Sequence, residues 1–181
     1  MGRFVVLLRG VNVGKGNKVP MAEFRAALED LGHTEVQTLL NSGNAVLSSA
    51  SRSPAKLAID IAAAVQARFG VVTPVIVKSA AEFAAIVANN PIAPPESENS
   101  RFVVAFAMDR SKLAELSSLQ SLLQPGERLA VTEHAAYLHC AGGLLQSKAG
   151  EAILGKGGRS ITTRNWGTTL KLASLLGGSA A

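Results

Sequence analysis

Apolar positions follow two rhythms along the chain, continuous short runs and helical spacing, and they alternate. Phe4-Val5-Val6-Leu7-Leu8 is an unbroken apolar run that suits a strand buried on both faces. It stops in Arg9-Gly10-Val11-Asn12-Val13-Gly14-Lys15-Gly16-Asn17-Lys18, where three glycines and two asparagines end the strand and make a loop. Pro20 stands where a helix takes its first residue, and Met21, Phe24, Leu28 and Leu31 then share one face, with Gly32 as the stop. Residues 35–40 and 45–49 read as strands around Asn41-Ser42-Gly43-Asn44, a hairpin signal. Ser53-Pro54 opens a helix with Leu57, Ile61, Val65 and Phe69 at helical spacing, ended by Gly70, and residues 73–77 return to strand. The first half therefore reads strand, helix, strand, strand, helix, strand. Ser79 and Glu82 then form a capping box ahead of a short helix carrying Phe83, Ile86 and Val87.

Asn89-Asn90-Pro91 ends that helix, and Pro94-Pro95-Glu96-Ser97-Glu98-Asn99-Ser100 has the composition of an exposed connector. The expected organisation is a subdomain over 1–90, a connector over 91–100 and a second subdomain over 101–181. Residues 101–108 repeat the look of the opening strand, Asp109 is a good N-cap, and Leu113, Leu116, Leu119 and Leu123 keep helical spacing as far as Pro125-Gly126. Residues 128–132 and 136–140 make a second hairpin around Glu133-His134, and 147–154 a helix stopped by Gly155. The second half thus also begins strand, helix, strand, strand, helix. Gly155-Lys156-Gly157-Gly158-Arg159 reads as a flexible basic loop, 160–163 as a brief strand and 166–176 as a leucine-rich last helix, a tail that departs from the repeat. The order argues an α+β fold with two layers of similar topology.

Composition narrows the function. With 181 residues, 48% of them hydrophobic, the chain can bury a full core, but aromatics are only 4%, so surfaces for stacking bases or sugars are scarce. The single cysteine, Cys140, forms no internal disulfide and no multi-cysteine metal cluster, which fits a reducing compartment and a cytoplasmic address. The five-residue apolar run before Arg9 is too short for a signal peptide, and no stretch has the length of a membrane span. The net charge of +5 is unevenly spread: residues 1–18 carry +4, residues 148–181 carry +4, and the middle is −3. Two basic ends invite an anionic partner if folding brings them together.

Leu7-Leu8-Arg9-Gly10-Val11-Asn12-Val13-Gly14, Lys18-Val19-Pro20-Met21, Asn41-Ser42-Gly43-Asn44, and Thr162-Thr163-Arg164-Asn165-Trp166 with Lys171-Leu172 resemble a bacterial family, domain of unknown function 1697. The resemblance runs over essentially the whole chain. It implies two tandem ferredoxin-like (α/β-plait) subdomains, with an extra C-terminal helix, and it brings no function with it. Two positions depart from the family's pattern: Gly167 stands where asparagine is common, and Leu39-Leu40-Asn41 where an aromatic residue and glutamine are more usual.

The loop after the first strand is not a Walker A motif, because Gly10 and Gly14-Lys15 enclose three residues instead of four and Gly16 stands at the magnesium-binding Ser/Thr position. Nor does it hold Gly-x-Gly-x-x-Gly, so no dinucleotide role is implied. It is either a tight glycine turn or an anion-binding loop, and Arg9 at the end of a buried strand favours the second. Thr162-Thr163-Arg164-Asn165 concentrates hydroxyl, guanidinium and amide groups suited to phosphate or carboxylate at a helix start. Trp166 reads as a buried anchor. His139 and Cys140 are adjacent in a strand, point to opposite faces and do not act together. No metal site, cofactor motif or catalytic residue is named, and the enzyme reading stays open. The expected ligand is a small anion held by Arg9, Asn12, Lys15, Lys18, Arg164 and Asn165 between the first loop and the start of the last helix. The alternative is weak, salt-sensitive, backbone-directed nucleic-acid binding, since the strands offer no aromatic platform. The sequence is silent on oligomeric state.

Overall fold

The computed structural model describes residues 1–155 and 160–177. The basic loop expected over 155–159 lies, from Lys156 to Arg159, outside the described residues. Packing divides the chain into two units, one of Met1–Phe83 with the end of the chain from Leu172, the other of Ala84–Lys171.

The first unit holds β1 (Gly2–Leu8), α1 (Met21–Asp30), β2 (Thr34–Leu39), β3 (Asn44–Ser49), α2 (Pro54–Phe69) and β4 (Val75–Ser79). Its sheet has the order β2-β3-β1-β4, with every neighbouring pair antiparallel. β1 takes a central place because its unbroken apolar run leaves no face for water. Phe4, Val6 and Leu8 form one core with Ala45, Leu47, Val75 and Val77 of the neighbouring strands, Phe24 and Leu28 of α1, and Leu57, Ile61 and Val65 of α2. Val5 and Leu7, on the opposite face, are fully buried too. α2 is bounded as the sequence implies, with Ser53 Oγ accepting from the Lys56 amide at 3.2 Å and Gly70 left-handed at φ +65°.

α3 (Ala80–Ala88) opens on the expected capping box: the Ser79 amide donates to Glu82 Oε2 at 2.8 Å and the Glu82 amide to Ser79 Oγ at 3.3 Å. The second unit then continues through a 3-10 turn (Glu96–Arg101), β5 (Phe102–Ala107), α4 (Arg110–Glu115), a 3-10 stretch (Leu116–Leu122), β6 (Arg128–Val131), β7 (Ala136–His139), α5 (Lys148–Gly155) and β8 (Ile161–Asn165). α6 (Trp166–Gly177) follows. This sheet has the order β6-β7-β5-β8, again antiparallel throughout, so both sheets share one strand order. Its core joins Val103, Ala105 and Leu138 to Leu113, Leu116, Ala149 and Ile153, with Cys140 among them.

Four local readings change. β4 begins two residues late, because Thr73 is spent on β1's exit: its Oγ1 donates to Arg9 O at 2.5 Å and accepts from the Arg9 amide at 3.2 Å. The leucine helix after Asp109 tightens to 3-10 at Leu116, where Ser118 and Ser121 hydroxyls donate to carbonyls three residues earlier. The tail does not depart from the repeat at once, since β8 pairs with β5 from Val103↔Asn165 to Ala107↔Ile161 and completes a second strand-helix-strand-strand-helix-strand order. The connector is not merely exposed: Glu98 carries a carboxylate to the His139 ring. No helix among the described residues is long and apolar enough to cross a membrane.

Candidate functional site: a preformed basic loop

The loop between β1 and α1 is built before it can bind anything. Leu8 donates its amide to Gly43 O at 2.8 Å, and Thr73 fixes both backbone groups of Arg9, so the point of departure is rigid. Gly10, Asn12 and Gly14 are left-handed, at φ +62°, +57° and +63°, while Val11 and Val13 between them are not. Alternating φ sign turns successive backbone N–H groups toward one side, the arrangement of anion-binding nests. Val11 and Val19 are buried and pin both ends of the segment to the core.

Asn12 is the keystone. Its Nδ2 donates to Val19 O and to Asn41 O, each at 2.8 Å, its Oδ1 accepts from the Val19 amide at 2.9 Å, and its own amide donates to Asn17 O at 3.0 Å. The side chain thus closes the loop and stitches it to the β2–β3 turn. That turn is itself tight, with Leu40 at φ +56° and Gly43 at φ +78°. A Cβ on Gly43 would lie 2.6 Å from Leu8 Cβ and 2.8 Å from Val11 Cγ2, so only glycine lets the two loops meet this closely.

What faces outward is basic. Residues 13–18 are all exposed, and the Val13, Gly14 and Lys15 amides have no acceptor among the described residues. Lys18 Nζ reaches back to Gly14 O at 3.0 Å. Several other exposed cations sit beside acids, Arg25 with Glu29, Lys56 with Asp60, Arg68 with Asp30, Arg110 with Glu133 and Lys112 with Glu115, while Arg52, Arg101, Arg128, Lys148 and Lys171 have no ion pair among the described residues. Lys15 and Lys18 have no such partner among the described residues, and the first acidic residue of the chain is Glu23. Arg9 is half-buried at the root of the loop.

The two tail residues belong to the second unit and have local work. Arg164 is 8% exposed, and its Nη1 donates to Thr162 Oγ1 and Thr163 O, both at 2.8 Å. Burial pushes its pKa down to about 10. Asn165 caps α6, its Oδ1 accepting from the Thr168 amide at 2.8 Å. Trp166 is buried edge-on to Phe102, with centroids 5.5 Å apart, as an anchor should be.

The family described as "Protein of unknown function (DUF1697)" matches residues 1–137, three quarters of the chain and all of the loop. The chain belongs to that family. The matched part ends before the tail motif around Arg164, but a solved structure carries the likeness through it. That structure, described as conserved bacterial protein SP0830 from Streptococcus pneumoniae, is 26% identical, with a TM-score of 0.80 over 97% of this chain and 98% of that one. No functionally curated protein matches the chain.

This DUF1697 member also holds one pairing that motif reading passes over. Glu98 Oε2, from the 3-10 turn, meets His139 Nε2 on β7; the His139 side chain is 8% exposed, its Nδ1 is buried with no hydrogen-bond partner among the described residues, and its ring lies beside Phe102. An acid–base couple therefore exists although the sequence names none, because 41 residues separate its members. Cys140 lies on the other face, in the core, and burial pushes its thiol pKa up. Among the described residues, no group of three His, Cys, Asp or Glu side chains is placed to hold a metal ion.

Proposed function

We propose that this chain is a bacterial, cytoplasmic binding protein for a small anionic ligand, and that the Gly10–Lys18 loop is where the anion sits. The observation that supports it is the pairing of a run of exposed amides without acceptors with two lysines that no carboxylate among the described residues neutralises. Lys15 and Lys18 supply charge, the Val13, Gly14 and Lys15 amides supply directed donors, and Arg9 adds charge at the root. Asn12 serves by shape, since its amide is committed to the protein. On the fold, the shared order 2-3-1-4 with a strand-helix-strand-strand-helix-strand path supports reading the halves as tandem ferredoxin-like subdomains, α6 being the extra helix.

Calorimetric titration of the whole chain with inorganic phosphate tests the reading. Saturable binding is expected, weakened about tenfold or more by Lys15→Ala or Lys18→Ala, because each charge-assisted hydrogen bond is worth roughly 1.5 to 3 kcal/mol. Identical binding by the double variant would place the anion elsewhere.

A further inference from the structure

Resting on the anion-binding reading of the same loop, we infer that its ligand is a phosphomonoester, gripped by the terminal phosphate, rather than a carboxylate or a phosphodiester. The donor set decides this. A carboxylate presents two oxygens in a plane and is matched best by a guanidinium fork, whereas the exposed cations of this loop are two ammonium groups, compact charges with rotatable donors, and its one guanidinium, Arg9, is half-buried at the root. A terminal phosphate carries a charge of about −1.5 to −2 at neutral pH and three strong acceptor oxygens, which fits two lysines and a set of amides. A phosphodiester offers one charge and two free oxygens, and leaves donors unmatched.

The backbone suits a phosphate group as well. The left-handed residues at 10, 12 and 14 alternate with residues that are not left-handed, the φ pattern of the nests whose successive N–H groups receive phosphate oxygens. The Asn12 side-chain amide ties this segment to Val19 and Asn41 before any ligand arrives, which lowers the ordering cost of binding. The rest of the ligand is given little: no aromatic residue occurs in 10–19 or 38–47, so no ring stacks on a base there. Val13, 72% exposed, and Leu40, 56% exposed, offer aliphatic contact on either side of the Asn12–Asn41 junction.

The charge of such a ligand depends on pH. The second ionisation of a phosphomonoester lies near pH 6, so acidification removes one of its charges, whereas sulfate keeps both. The experiment is amide NMR titration of the full chain at fixed ionic strength with glycerol phosphate, dimethyl phosphate, acetate and sulfate, at pH 7.5 and at pH 5. Glycerol phosphate is expected to bind about tenfold or more tighter than dimethyl phosphate or acetate at pH 7.5 and to weaken several-fold at pH 5, with sulfate unchanged between the two. Lys15→Gln and Lys18→Gln, both at exposed positions, should each abolish most of the preference while leaving the rest of the amide spectrum in place. If acetate or dimethyl phosphate binds this loop as tightly as glycerol phosphate, the phosphomonoester class is wrong and the anion-binding reading stands. If none of the four moves the loop amides, both fall.

Discussion

At the scale of single residues, Asn12 shows how one side chain can replace a piece of secondary structure. It takes a left-handed φ of +57°, which asparagine tolerates better than most residues, and its amide closes three contacts that the loop has no other means of making. Asn12→Gly keeps the backbone and loses the amide; Asn12→Ala loses both. We expect a stability loss of roughly 1 to 3 kcal/mol for Asn12→Gly and more for Asn12→Ala in urea unfolding, with the loop amides losing exchange protection in both. Half-buried His33 and buried Tyr137 give tests away from the loop. Burial, outweighing the pull of Asp60, holds the His33 pKa below its ordinary 6.5. The unfolded imidazole therefore binds a proton before the native one does, and stability should fall as pH drops below about 6.5 until the native group also protonates. Unfolding measured between pH 8 and pH 5 should show that slope diminished in His33→Gln; an unchanged slope would assign it to other groups. Tyr137, whose hydroxyl donates to Ile86 O at 2.6 Å, is pushed up to about 12 by burial. Tyr137→Phe should cost about 1 kcal/mol.

Helix caps were the part of the elements most legible in the sequence, because they are local. Ser53, Gly70, the Ser79–Glu82 box and Asp109 each act within four residues, and each does in the structure what its spacing implies. β8 was harder to read. Thr162, Thr163, Arg164 and Asn165 look like a binding cluster, yet the strand owes its existence to β5, some sixty residues earlier. Tertiary pairing overrode local polarity there. The same four residues tie strand to helix, since Asn165 ends β8 and caps α6. Asn165→Ala is expected to cost about 1 kcal/mol in thermal or urea unfolding, and Asn165→Asp to retain the cap. A larger loss in phosphate affinity than in stability would instead make Asn165 a ligand contact.

For the whole molecule, the repeated strand order was visible in the alternation of runs and helical spacing, while the contacts that join distant residues were not. Lys15 and Lys18 stand out by composition alone; the partnership of Asn12 with Asn41, and that of Glu98 with His139, require the fold. The second of these shapes how the connector opens. Residues 95–97 are exposed, but Glu98 is anchored on a buried ring, so limited proteolysis should cut first before Glu98, and Glu98→Gln should speed that cut. A first stable cut inside α2 would contradict the expected organisation into 1–90 and 101–181.

The central claim is that the Gly10–Lys18 loop is a ready-made oxyanion receptor, and amide NMR during titration with inorganic phosphate tests it most directly, because it reads the proposed donors one by one. The expected result is a saturable shift of the Val13, Gly14 and Lys15 amides that disappears in the Lys15→Gln/Lys18→Gln double variant while the remaining spectrum is preserved. Shifts that spare these three amides, or that persist unchanged in the double variant, would contradict it.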